Sequence, residues 1–333
     1  MNQRRRRRTS GHLCAPVLIV VLALSPVRAT ARIPTQDQDT AALYRLIDSR
    51  AYEQAEETAR ELINRDRNDA EVWELLGRAR QGRWDFEGAA EAYRRAIDLG
   101  RETAPLLRGW VETRGRSASN VSLFFTAGRL KRDLERALEL DPRHVESRAI
   151  LAAFYYMVPR LLGGDKRKAD RLIDELIELS PADGYYLRGV RAREEDKSTE
   201  RILGAWNEAL ANDPYHTLTL MEMGRFAFNH EHDDQAVEYY RRAVESAPAD
   251  PLVQTSWGRA LRRVRRYEES AAAFRRALEI DPYWFDARQA LAEYYERIED
   301  TPAAIREYET LLRNNPHSEP DEIRARLHRL RGG

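Results

Sequence analysis

Bulky and small apolar residues recur along this chain at helical spacing, and the pattern returns about every 34 residues. Prolines at 142, 181, 214, 248, 282 and 316 punctuate it, at intervals of 39, 33, 34, 34 and 34. The residues before them are Asp141, Ser180, Asp213, Ala247, Asp281 and Asn315, most of them turn formers. Proline bars its predecessor from helical backbone, so each of these points ends a helix. Five residues before each proline stands Ala137, Leu176, Ala209, Ala243, Ala277 or Leu311. Three before that stands a bulkier side chain: Leu134, Ile173, Trp206, Tyr240, Phe274 or Tyr308. Such spacing lines one face of a helix with apolar groups. The pattern predicts a succession of helices, each with an apolar face to bury.

Trp73, Leu76 and Gly77, followed by Ala89, Tyr93 and Ala96, resemble the tetratricopeptide repeat, whose pattern is Trp-x2-Leu-Gly-x2-Tyr, then Ala-x3-Phe, then Pro. Three later units match it as well. One carries Met223, Gly224, Ala236, Tyr240 and Pro248, the next Trp257, Gly258, Phe274 and Pro282, and the last Leu291, Ala292, Tyr295, Ala304, Tyr308 and Pro316. The resemblance implies an all-α, right-handed helix-turn-helix solenoid of about eight repeats with a polar capping helix over 319–331. Residues 36–69 read as a degenerate first repeat and 70–103 as a regular one. An irregular stretch follows over 104–216, then regular repeats over 217–316.

The first 31 residues stand apart. Arg4–Arg8 form a basic segment and Ala15–Leu24 an apolar run, and Ala29-Thr30-Ala31 offers a small-x-small cleavage site. This is the layout of a secretory signal peptide cleaved after Ala31, which predicts a periplasmic or secreted protein. The ten-residue run is too short to span a bilayer, which takes roughly 20 residues. The segment holds six of the 55 basic residues and no acid, so the remainder carries 49 basic against 55 acidic groups, a net −6. That balance argues against a general polyanion binder, and no nucleic-acid partner is expected. The only cysteine, Cys14, lies in this segment, leaving residues 32–333 without a thiol for a disulfide, a nucleophile or a metal. Asn120-Val121-Ser122 is a glycan acceptor only in a eukaryotic secretory route.

No catalytic constellation stands out. Gly-x-Ser-x-Gly, His-Glu-x-x-His and a nucleotide-binding glycine loop are all missing from the sequence, and neither an enzymatic activity nor a cofactor is expected. His230, His232, Asp233 and Asp234 mix nitrogen and oxygen ligands, but they crowd one inter-helix turn and read as solvated turn residues rather than a metal site. Arg262–Arg266 hold four arginines on a helix end. Glu91 with Arg95, and Glu238 with Arg242, have the i, i+4 spacing of stabilising pairs. In the resembled family the first helices line a concave groove, and matching positions place Arg78, Arg225 and Arg259 in one slot. Arg188, Met221, Phe228 and Arg262 fall nearby. The resemblance implies an extended peptide or acidic tail as partner, held by arginines on its carboxylates and by apolar anchors. The asparagines and lysines of the family's chaperone-tail clamp do not occupy these slots.

One stretch breaks the ruler. Counting from Pro142, the second-helix alanine belongs near residue 164, but the matching residue is Ala169, five positions late. The extra residues fall in 157–168, between "RAILAAFYYM" and "KADRLIDELIEL". Pro159 stops the first helix, Gly163 and Gly164 supply a permissive turn, Asp165 caps the second helix, and Lys166 opens it. Insertions in such repeats map to one edge, often a binding edge. The expectation is a protruding loop that contacts a partner. Residues 118–215 also resemble exported bacterial repeat proteins with a double-glycine loop followed by Lys-Ala. Some solute-transporter helper proteins of that type are trimeric with a ligand pore, so an accessory role in transport is the alternative to an adaptor of the cell envelope.

Overall fold

Aspartates and histidines set the helix starts. Asp69 accepts from the backbone N–H groups of Glu71 and Val72 at 3.0 and 3.1 Å. Asp250 does the same for Leu252 and Val253, with Pro251 at the first helical position. His144 and His216 cap through Nδ1. Each cap satisfies backbone donors that the helix leaves open.

The computed structural model describes residues 38–83, 85–117, 120–195, 198–314 and 320–332. The expected signal segment, residues 1–31, lies outside them, as do Asn315, Pro316, the start of the expected capping segment at Glu319 and the side chains of the Asn120-Val121-Ser122 triplet. The described residues form seventeen α-helices and no strand. In order, these are α1 (Gln38–Asp48), α2 (Tyr52–Arg65), α3 (Ala70–Gly82), α4 (Phe86–Asp98), α5 (Ala104–Ser117), α6 (Asn120–Leu140), α7 (Val145–Met157), α8 (Lys166–Leu179) and α9 (Pro181–Glu194). There follow α10 (Thr199–Asn212), α11 (Thr217–Asn229), α12 (Asp233–Ser246), α13 (Pro251–Arg263), α14 (Tyr267–Ile280), α15 (Phe285–Arg297), α16 (Thr301–Asn314) and α17 (Pro320–Leu330). Contacts run between sequence neighbours, most densely within the pairs α3–α4, α7–α8, α11–α12, α13–α14 and α15–α16. This is the architecture of a tetratricopeptide-repeat solenoid. The chain divides into two compact units, up to Arg191 and from Ala192 on.

The repeat signature has a steric cause. A methyl placed on Gly77 would lie 2.7 Å from the Tyr93 ring, one on Gly224 2.8 Å from Tyr240, and one on Gly258 2.6 Å from Phe274. Each first helix thus yields its side chain so that the second helix can seat an aromatic ring. Tyr93, Trp206, Phe274 and Tyr308 are among the largest fully buried side chains. Burial lifts the Tyr93 phenol well above its ordinary range, which keeps it neutral. The last helix, α17, lays Ile323 and Leu327 against Ala292, Tyr308 and Leu311 and so closes the apolar face of the repeat before it.

Arg50, Glu231, Arg265 and Glu299 hold φ near +60° where a pair's first helix meets its second, the last three at 34-residue intervals, and Gly100 takes the same conformation between pairs, after the second helix α4. In each case the next residue's N–H returns to the helix: Ala51 to Leu46, His232 to Ala227, Arg266 to Leu261, Asp300 to Tyr295 and Arg101 to Ala96. That is the six-to-one bond of a Schellman turn, and four of the five do without the glycine it favours.

Arginines fix several buried carboxylates. Glu56 accepts from Arg60, Arg80 and Arg83, Glu112 faces Arg108 and Arg116, and Glu222 accepts from Arg193 and Arg225. The outer faces differ from the sequence expectation in both pairings, Glu91–Arg95 and Glu238–Arg242. Glu238 binds Arg241 rather than Arg242, and Arg241 also takes Glu245. Arg242 instead donates to the Pro214 carbonyl at 2.7 Å across the inter-repeat turn. On α4 the ion pair is Arg94–Asp98.

The insertion is a hydrogen-bonded turn. Helix α7 stops at Met157, Arg160–Leu162 make one 3-10 turn, and Asp165 caps α8 by accepting from Arg167 and Lys168. Gly164 N–H reaches Pro159 O at 3.2 Å and Asp165 N–H reaches Tyr155 O at 2.8 Å, which ties the base shut. The two glycines differ in reason. Gly163 has φ +99°, while a methyl on Gly164 would lie 1.6 Å from the Val158 carbonyl oxygen. Gly164→Ala therefore forces the base apart, and we expect it to cost about 2 kcal/mol in urea unfolding at unchanged helix content.

Candidate partner-binding site

Helix α13 carries Arg259, Arg262 and Arg263 at i, i+3 and i+4, so all three project from one side. Opposite them stand Glu293, Tyr294 and Arg297 on α15 and Tyr267 at the start of α14, with Phe228 from the end of α11. Together they line a pocket of about 670 Å³ in the C-terminal unit. Four of its lining residues are arginines, three of them paired with carboxylates, so the positive charge in excess is that of Arg297.

Packing has already oriented these arginines. The Arg263 guanidinium lies 4.4 Å from the centre of the Phe228 ring, donates to Phe228 O at 2.9 Å and pairs with Asp233 at 2.8 Å. Arg262 pairs with Glu293 at 2.7 Å and Arg259 with Asp286 at 3.1 Å. Arg297 stacks 4.0 Å over Tyr267, is exposed, and forms no ion pair among the described residues. A guanidinium placed over a ring face can still offer N–H groups to a carboxylate. Ser270 also borders the pocket, but its hydroxyl donates to Gly258 O at 2.7 Å.

The structure thus brings Phe228, Arg259 and Arg262 together and leaves the other groove candidates elsewhere. Arg78 stacks at 5.5 Å over Tyr44 in the N-terminal unit. In the same unit, Arg188 pairs with Asp174 at 2.6 Å and lies over Tyr185. Met221 is half-buried against Leu220 and Val253, and Arg225 is bound to buried Glu222. Sequence reasoning missed Tyr267, Glu293, Tyr294 and Arg297. The basic run 262–266 flagged Arg263, but only the fold shows that Arg297 meets Tyr267 across 30 residues.

The turn with the metal-like residues is engaged otherwise. The His230 ring stacks on Phe226 at 4.0 Å with Nδ1 2.8 Å from Phe226 O, and Asp233 serves Arg263. Among the described residues no three His, Cys, Asp or Glu side chains converge as a metal set.

Residues 221–287, which hold most of the pocket, match the family model of the tetratricopeptide repeat. The tetratricopeptide repeat is the unit of this fold. The structure of yeast Tom70 is similar over 95% of this chain and 69% of that one, with TM-score 0.67 and 15% identity. YrrB, described as a tetratricopeptide-repeat protein with an unusual peptide-binding site, overlaps 55% of this chain and 89% of its own, with TM-score 0.43 and 18% identity. The likeness to Tom70 is one of fold. A comparison with curated proteins finds no match. Among the described residues no helix is long and apolar enough to cross a membrane.

Proposed function

We propose that this chain is a non-enzymatic interaction scaffold of the cell envelope whose C-terminal unit holds an acidic, partly apolar segment of a partner protein. The observation that carries the reading is the pocket between α11, α13, α14 and α15, where Phe228, Tyr267 and Tyr294 stand among four arginines. The rings offer apolar area at low entropic cost, and the guanidiniums offer charge-assisted, two-point contacts to carboxylates. The match of residues 221–287 to a repeat family supports an interaction module. The envelope location is supported by the basic segment, short apolar run and small-x-small site of residues 4–31.

Selection of a random displayed-peptide library on the whole chain tests the proposal. We expect enriched peptides to carry an Asp or Glu within a few residues of an aromatic or aliphatic side chain. Exchange of Arg263 and Arg297 for glutamate should weaken their binding by at least about 100-fold, since each loss of a charge-assisted contact is worth about 1.5–3 kcal/mol. Arg276→Glu on the outer face of α14, where Arg276 pairs with Glu279, should leave binding unchanged. Enrichment of peptides without acids, or equal binding by the pocket variant, refutes the reading.

A further inference from the structure

This chain has 51 arginines and only four lysines, Lys131, Lys166, Lys168 and Lys197. Three of the four border the turn inserted after α7. Lys166 and Lys168 follow it directly, lying over the rings of Tyr156 and Tyr155, and Lys131 of α6 comes within 3.9 Å of where a Gly163 methyl would sit. At the tip stands Leu161, 93% exposed, beside exposed Arg160. Residues 157–171 hold five cations against two carboxylates. Both carboxylates are engaged, Asp165 in capping α8 and Asp170 with Arg191.

Two features of this arrangement work against local stability. Lysine and arginine fill the first turn of α8, where the helix dipole favours acids. The second helices α2, α4, α12 and α14 place acids there, and α6 and α16, which do not, place no cation there either. A leucine held out in water by a hydrogen-bonded turn is also unfavourable. Unfavourable placements kept together at one edge point to an external ligand that answers both. It must be anionic, and it must offer an apolar phase to a lone side chain. A protein interface of useful strength needs a broader apolar centre than one leucine. A bilayer surface needs only an apolar tip and cations at headgroup depth. Lysine suits it too, as a flexible point charge for mobile phosphates in place of arginine's fixed fork.

We propose that the turn Pro159–Gly164 is a peripheral docking device for an anionic lipid surface. Leu161 enters the headgroup boundary while Lys131, Arg160, Lys166, Arg167 and Lys168 face the headgroup phosphates. The device lies in the N-terminal unit and does not depend on the peptide pocket of the other.

The test uses the full chain with Cys14→Ser and a single new thiol, Leu161→Cys, carrying an environment-sensitive fluorophore. On phosphatidylcholine vesicles containing roughly one-third phosphatidylglycerol, the emission should shift to the blue and brighten several-fold, and on phosphatidylcholine alone it should not. Raising salt from about 0.05 to 0.5 M should raise the half-saturating lipid concentration by roughly tenfold or more. Adding Lys166→Glu and Lys168→Glu should do the same, and circular dichroism should show the helices kept, since both changes favour the start of α8. The same fluorophore at Tyr215→Cys, an exposed position in the other unit, should not respond. The readout is local, so attachment through residues 1–31 cannot imitate it. A water-like label at 161 on anionic vesicles overturns the proposal. So does an equal response at 215, or the same shift with soluble polyglutamate, which would indicate an acidic protein surface.

Discussion

Replacing Phe274 with alanine is expected to lower the free energy of unfolding by about 3–5 kcal/mol. The ring is fully buried and packs with Ala271, Ala277, Ala287 and Leu291 between two repeats, so its loss leaves a hole that small neighbours cannot fill. Urea denaturation followed by far-ultraviolet circular dichroism measures it, as a lower midpoint. Gly258 supplies a second reading of the same contact. Gly258→Ala alone should destabilise by about 1–2 kcal/mol, because crowding against the ring exceeds the roughly 1 kcal/mol that alanine gains in a helix. In a Phe274→Leu background the penalty should shrink by at least about 0.5 kcal/mol, the mark of direct coupling. Additive effects would mean that the glycine is not there to admit the ring.

The second large effect belongs to Glu56. Only 4% of it is exposed, and it receives Arg80 Nε at 3.1 Å, Arg60 at 2.6 Å and the Arg83 guanidinium. Glu56→Gln leaves three cations converging on a neutral amide. Arg60 and Arg83 can turn to water, but Arg80 is half-buried and tied to Gly88 O at 3.0 Å. A loss of about 2–4 kcal/mol is expected, and Glu56→Leu with Arg80→Met should recover most of it.

The sign of the pH dependence follows from the same contacts. Burial by itself raises the Glu56 pKa. The hydrogen bonds from Arg80 and Arg83 and the charge of Arg60 outweigh it and hold the pKa below the ordinary 4.5. With the folded value lower than the unfolded one, the unfolded chain binds the proton first. The contribution is therefore complete above the unfolded pKa and is lost as pH falls through the folded one. Stability of Glu56→Gln should lack that acid slope, and an unchanged slope would show that Glu56 is not its source.

Much of the fold was legible because its cause is periodic. Phe274 is read from its spacing and Gly258 from the repeat pattern that the chain resembles, since one ring needs one gap at one helical offset. The insertion was legible for the converse reason, as a five-residue departure from the same ruler. Its two glycines could not be told apart, because a positive φ at Gly163 and a carbonyl against Gly164 look alike in sequence. The pocket was half legible. A slot counted along first helices finds Arg259, but it equally selects Arg78, which packs over Tyr44, and Arg225, which binds Glu222. Whether an arginine faces a partner or its own chain depends on the next helix, which no local count contains. The Glu238–Arg242 spacing failed similarly: two acceptors flank Arg241, and the Pro214 carbonyl takes Arg242.

The left-handed residues at Arg50, Glu231, Arg265 and Glu299 have a consequence for motion. A side chain in that region costs roughly 1 kcal/mol relative to glycine, and opening the turn releases it. The reversals after α1, α11, α13 and α15 are thus biased toward brief local opening, and the Gly100 turn after α4 is not. The turn after α13 lies between Arg263 and Tyr267, two walls of the pocket. The pocket proposed above to hold a partner's segment thus adjoins a turn where the backbone gains by loosening.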